Sequence, residues 1–252
     1  MPTNGGGEGE SGIAHIAVAS AGDPRSAVES ALALLGDRIP ALDGAILLLP
    51  PPPAPRGLRE AAQIVTGQRA PIARPRSGIG DLVSGDVNWR ELPVPAGAQR
   101  FDRVRVPAHL LDRGRVLALS LPTDRGSLTP LSLLAQFAHP RQRLAARFGG
   151  DPGATAELVA PLRPDLVLLA GRSGNQGIAV VTPDFIAAEL VAQALLAEDP
   201  HDDEPGPWER PVVQRATDLD LGVRMPSGIR FLTACDAAES FVAPIRPRLG
   251  VT

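Results

Sequence analysis

Apolar residues in this chain come in short unbroken runs, set apart by stretches of helical spacing and by Pro- and Gly-rich punctuation. The runs 13–19 (IAHIAVA), 45–49 (AILLL), 115–121 (RVLALSL), 166–170 (LVLLA) and 178–181 are too short for helices and are bounded by turn residues. They read as strands buried on both faces. Two further strands are predicted over 101–106 and 228–233. Between strands the period changes. Asp23-Pro24 is a cap followed by proline at the first helical position. Val28, Ala31, Leu32 and Leu35 then share one helical face, and Gly36 stands where the helix should end. Helices are also predicted over 58–65, over 128–148 with a break at His139-Pro140, and over 211–218. Thr182-Pro183-Asp184 opens the clearest helix, 184–197, with Phe185, Ala188, Val191, Ala192 and Leu195 as its buried stripe.

Short apolar strands that alternate with helices predict an α/β fold: a mainly parallel sheet flanked by helices, in a layered, Rossmann-like architecture. Residues 1–12 are rich in Gly, Glu and Ser and read as a disordered tail. Residues 13–252 read as a single α/β domain, with the Gly-Gly-Asp-Pro-Gly stretch at 149–153 as the place where two lobes would meet.

Composition narrows the chemistry. The 252 residues carry a net charge of −3 and give a pI of about 5.8, so no global basic field draws in nucleic acid. The 25 basic residues are all Arg, and Tyr is absent as well. Schiff-base lysine chemistry, a phosphate-loop lysine and a tyrosine acid are therefore excluded. The one cysteine, Cys235, cannot build a disulfide framework or a self-contained thiolate cluster site. It follows a strand and reads as a small buried apolar residue. No apolar stretch approaches the roughly 18 residues of a membrane span, and the first residues do not resemble a signal peptide. These features predict a cytoplasmic chain with no membrane and no nucleic-acid partner.

Few residues have the spacing of a functional site. Gly171-Arg172-Ser173-Gly174-Asn175-Gln176-Gly177 follows an apolar strand. Its glycines could let backbone amides approach an anion, with Arg172 to pair with it. A dinucleotide fingerprint needs a helix next, and here a strand follows, so the same loop also reads as a plain turn. The four histidines are too widely spaced for a helical metal pair, and no metal site is predicted. Arg141, Arg143 and Arg147 make one helical side basic. Residues 198–210 read as an acidic, Pro-rich exposed loop, and its run Asp199, Asp202, Asp203 and Glu204 lacks the pattern of a calcium loop.

Several segments, in order from about 13 to 230, resemble the domain-of-unknown-function 362 family, whose members are often fused to ferredoxin-type modules. Arg163-Pro164-Asp165 through Gly171 is similar to its PDLxVxDG strand. Thr182 through Glu189 is similar to its SxDxVAxD helix start, and Arg215 through Gly222 to its AxxxGLG segment. In the first half, Leu48-Leu49-Pro50-Pro51 stands where the family has IKPN. Leu121 through Ser127 stands where it has VPKLKTH, and the following helix where it has VTGALKN. On this resemblance the family's polar groups are gone. Its first Lys becomes Leu49 and its Asn becomes Pro51. Further on, Thr123, Arg125 and Ser127 replace Lys, Lys and His, and Leu133-Leu134 replaces Lys-Asn. The strand Asp becomes Ala170, while Asp184 and Glu189 keep the helix carboxylates. The resemblance thus implies an uncharacterised, non-catalytic binding or partner subunit, with another protein as its partner, no cofactor and no ferredoxin module. The alternative is a redox-linked enzyme or small-molecule binder with a rebuilt anion site. That site would draw on Gly171, Arg172, Gly174, Gly177, Arg125, Asp184 and Glu189.

Overall fold

The computed structural model of the protein describes residues 12–42, 44–51, 58–67, 69–75, 87–124, 126–197 and 205–251. Its centre is a seven-stranded sheet. The strands are β1 (Ala14–Ala21), β2 (Ile46–Leu48), β3 (Ile72–Ala73), β6 (Arg115–Ser120), β7 (Leu166–Ser173), β8 (Gln176–Thr182) and β9 (Ile229–Thr233), in the order β3-β2-β6-β7-β8-β1-β9. Only β8 runs against its neighbours; every other pairing is parallel. A separate two-stranded antiparallel ribbon joins β4 (Trp89–Pro93) to β5 (Arg103–Pro107).

The apolar runs of the sequence are unbroken because helices cover both faces of the sheet. Along β7, Val167 and Leu169 point into one core, and Leu166, Leu168 and Ala170 into the other. Alternation in β6, β8 and β1 follows the same rule. The helices α1 (Pro24–Leu35) and α2 (Leu58–Thr66) close one face through Ala27, Val28, Ala31, Leu58 and Ala61. The opposite face is covered mainly by α3 (Pro130–Ala135), α5 (Ala154–Val159), α6 (Phe185–Leu196) and α7 (Pro211–Asp218). On the same side, α8 (Asp236–Val242) packs on β1 and β9, α4 (Pro140–Phe148) on α5, and α9 (Ile245–Arg248) on α6.

The predicted α/β class, mainly parallel sheet and flanking helices are all present. Several particulars differ. The ribbon strand β4 lies in a stretch that reads as turn-rich, because Trp89-Arg90-Glu91-Leu92-Pro93 has a polar outer face and no apolar run. The helix α6 has no narrow stripe: Phe185 through Ala194 are all buried, because the helix is enclosed by the sheet, α3, α7 and α9. Cys235 is exposed rather than buried, since it stands at the N-cap of α8, outside the sheet. The sheet takes strands from both sides of 149–153, with β6 beside β7 and β1 beside β9. Apart from Gly12, the predicted tail lies outside the described residues, as do residues 198–204 of the acidic loop; its remainder is not wholly exposed, since Pro207–Glu209 form a short 3-10 turn with Pro207 buried and Trp208 packed against the core.

Candidate functional site

In a parallel sheet, ligands approach the carboxyl ends of the strands, where loops and helix N-termini converge. Here the ends of β2 and β6 are apolar and buried. Leu49, just past β2, is fully buried and donates its N–H to the Ala73 carbonyl at 3.0 Å. Leu121, just past β6, donates to the Ala170 carbonyl at 3.1 Å, and both residues are buried. The turn that follows is closed on itself. Ser127 Oγ accepts from the Thr123 and Asp124 N–H groups at 3.2 and 3.3 Å, and Asp124 Oδ1 accepts from the Gly126 N–H at 2.8 Å. Arg125, within that turn, lies outside the described residues.

The 171–177 segment is a β-hairpin. Gly171 and Arg172 belong to β7, Gly177 to β8, and Ser173 pairs directly with Gln176. Gly174, at φ +59°, is the first of two turn residues, the position at which a tight hairpin turn calls for glycine. Gly177 has a different reason to be glycine. A Cβ there would sit 2.2 Å from the Asp23 carbonyl carbon, so its absence lets the start of α1 lie against β8. Asp23 in turn caps α1, accepting from Arg25 and Ser26 N–H groups at 2.9 and 3.1 Å. The Arg172 side chain is exposed at the hairpin end.

Asp184 is at the other end of the same two strands, since Val167 pairs with Thr182. Five residues of strand separate the levels of Arg172 and Val167, about 17 Å at the usual rise. The structure therefore does not bring Arg172 and Asp184 together. Asp184 is instead the N-cap of α6: Oδ1 accepts from the Ala187 N–H at 2.8 Å, and Oδ2 from the Val223 N–H at 2.8 Å. Burial raises its carboxyl above the ordinary 3.8, against the pull of these N–H donors and of the Arg163 charge.

Glu189, one turn further along α6, is fully buried. Its Oε2 accepts from the Leu131 N–H at 2.8 Å, at the start of α3, and its Oε1 from Gln193 Nε2 at 2.7 Å. Burial raises this carboxyl above the ordinary 4.5, and the donors from Leu131, Gln193 and Thr129 and the charge of Arg210 oppose the rise. A third buried carboxylate, Glu157, was not distinguishable in the sequence from any surface glutamate. It accepts from the N–H groups of Gln99, Arg100 and Phe101 at 2.8, 2.9 and 2.8 Å, and from the Arg215 guanidinium. Arg215 also reaches Gln99 Oε1 at 2.6 Å.

Histidine and metal chemistry fare no better. His139 Nδ1 accepts from the Arg141 N–H at 3.2 Å as the cap of α4. Burial, then the charges of Arg105, Arg141 and Arg143, hold its imidazole below the ordinary 6.5. Among the described residues, no group of three or more His, Cys, Asp or Glu side chains is placed to hold a metal ion. No helix of the described residues is long and apolar enough to cross a membrane.

A concavity of about 680 Å³ is lined in part by Asp184, Arg163, Asp220 and Arg224, and another lies away from these groups. The latter measures about 430 Å³ and lies between the β4–β5 ribbon, the end of β3 and the corner between α3 and α4, with Trp89, Phe137, Arg74, His109 and Arg143 in its wall. Sequence reasoning missed it because it joins residues far apart in the chain. Its one local signal was Trp89, one of two tryptophans, in a stretch without apolar periodicity. No protein-family model, no curated protein and no solved structure matches the chain.

Proposed function

We propose that this chain is a non-catalytic binding or partner subunit, a degenerate relative of the domain-of-unknown-function 362 family with Rossmann-like layering. On this reading it acts in the cytoplasm by holding another polypeptide, not by turning over a substrate. The observation that carries the reading is how the carboxylates are used. Asp184, Glu189 and Glu157 each bind backbone N–H groups that close a helix start or a loop. A general acid or base needs a proton path to a reacting group, and these oxygens face the chain's own amides.

The spatial fit of the quoted segments supports kinship. The strand-like segment lies on β7, the helix-start segment spans the end of β8 and the start of α6, and the Gly-containing segment runs through α7 to Gly222. A Cβ at that last glycine would fall 2.4 Å from Asp184 Oδ1, and Val167 pairs with Thr182, so the three segments are neighbours in space.

The experiment is a turnover test. The protein is incubated with the small-molecule extract of its host, and the mixture is followed by mass spectrometry against a heat-denatured control. The reading expects no metabolite to be consumed. A metabolite that is consumed by the protein, and spared by a folded Asp184→Asn or Glu189→Gln variant, overturns it.

A further inference from the structure

We propose that the outer face of α4 is where the partner polypeptide docks, and that it receives an acidic amphipathic helix with an apolar seam and carboxylates on both flanks. The proposal rests on the partner-subunit reading and names the face and the chemistry of that contact. α4 packs inward on α5, and its exposed residues are Arg141, Leu144, Arg147 and Phe148. Leu144 and Phe148 stand one turn apart, 47% and 75% exposed. They are two of the four large apolar side chains exposed among the described residues. Single exposed apolar residues are ordinary, whereas a pair stacked one turn apart makes a ridge that fits between the side chains of a second helix.

Charge on this face says what the second helix carries. α4 (PRQRLAARF) contains no acidic residue, and none of the ion pairs among the described residues involves Arg141 or Arg147. At helical spacing these two guanidinium groups fall on opposite sides of the Leu144–Phe148 ridge. Arg147 lies in the last turn, with its guanidinium 5.6 Å from the Phe148 ring centroid. Arg100 reaches the same helix end, since a Cβ at Gly149 would fall 2.8 Å from its Nη2. Both suit the negative end of the helix dipole. Arg141 has no such local reason: it stands in the first turn, where the dipole disfavours a cation. A residue kept against local stability points to a use outside the chain. Carboxylates flanking an apolar seam supply that use. A second copy does not, because pairing α4 with itself about a two-fold axis brings like charges together. An anionic membrane is disfavoured too, because the helix has nine residues, one side is committed to α5 and the chain is net −3.

The probe is a fluorescein-labelled helical peptide with Leu along one face and Glu on both flanks; a second peptide has Lys for every Glu. Both are titrated by fluorescence anisotropy against the unmodified protein, Leu144→Ser with Phe148→Ser, and Arg141→Glu with Arg147→Glu. Phe148→Ser alone covers the case in which the first double variant does not fold. The expected result is saturable one-to-one binding of the Glu peptide, at least about tenfold tighter than the Lys peptide. The Arg→Glu variant should reverse that preference, and the Ser variants should weaken the Glu peptide by about tenfold or more. Equal binding of the two peptides, no saturation at millimolar protein, an unreversed preference, or indifference to the Ser substitutions each overturns the proposal. So does sedimentation with phosphatidylserine vesicles in place of peptide binding, or a homodimer that Leu144→Ser with Phe148→Ser dissolves. Native mass spectrometry of protein purified from its host separates this failure from that of the partner-subunit reading. A host complex that survives Leu144→Ser with Phe148→Ser overturns this face and leaves that reading standing. The absence of any complex of the unmodified protein overturns both.

Discussion

Asp184 and Val223 are 39 residues apart in the chain, and the Asp184 carboxylate accepts the Val223 N–H at 2.8 Å. The other carboxylate oxygen caps α6 through the Ala187 N–H. One side chain therefore starts the most enclosed helix of the fold and pins the turn that leads into β9. Asp184→Ala removes a cap, at about 1 kcal/mol. It also leaves a part-buried N–H without its acceptor, at about 1–3 kcal/mol. A total loss of roughly 2–4 kcal/mol in urea unfolding is expected. Asp184→Asn should lose less, because Asn caps helices about as well as Asp.

Gly174, Gly177 and Gly222 should rank by what a Cβ would meet. At Gly177 it would meet the Asp23 backbone at 2.2 Å, which cannot rotate away. At Gly222 it would meet Asp184 Oδ1 at 2.4 Å, a side-chain atom that can shift only by loosening its bond to the Ala187 N–H. At Gly174 it would meet nothing within 4 Å, and only the positive φ opposes it. Gly177→Ala should therefore cost most, about 3 kcal/mol or more. Gly222→Ala follows at about 1–3, and Gly174→Ala at about 1. Thermal unfolding of the three variants checks the order.

Glu157 should be among the most sensitive positions of the molecule. Glu157→Ala strips three N–H groups of their acceptor and leaves the Arg215 guanidinium, itself buried, with only Asp151 at 3.7 Å and the Gln99 amide. Breaking a buried pair in this way costs about 3–5 kcal/mol. Glu157→Gln keeps an acceptor oxygen and should fall below that. Denaturant midpoints of the two variants test the difference.

Stability should depend on pH through Glu189. Burial places its folded-state pKa above the ordinary value of 4.5. Between the unfolded and the folded pKa the native chain binds the extra proton. The group's stabilising contribution is thus full below about 4.5 and is lost as pH rises through the raised folded value. Asp184, also raised, adds the same sign above its ordinary 3.8. Glu189→Gln should flatten the fall in unfolding free energy on the alkaline side of 4.5, measured in urea across a pH series. An unchanged slope would remove Glu189 as its source.

The strands and main helices were legible because each apolar run is short, bounded by turn residues and buried on both sides. Asp23-Pro24 and Thr182-Pro183-Asp184 marked helix starts correctly, since cap chemistry is local. The ribbon strand β4 was not legible, because Arg90, Glu91 and Pro93 are exposed and no apolar run marks it, although its partner β5 begins only ten residues after it ends. Nor was the use of Glu189 and Glu157, which bond to amides 58 and 56–58 residues away. The glycines of 171–177 were visible as a cluster, but their reasons differ: a turn at Gly174, close packing at Gly177. A glycine-rich spacing alone does not distinguish those reasons from an anion loop.

The central claim, that this chain holds a partner instead of performing chemistry, is tested most directly by native mass spectrometry of the protein gently purified from its host. The account predicts a fixed-stoichiometry complex whose mass exceeds the 26.3 kDa chain by that of a second polypeptide. A bare 26.3 kDa chain, with no second polypeptide at any mild ionisation setting, would contradict it.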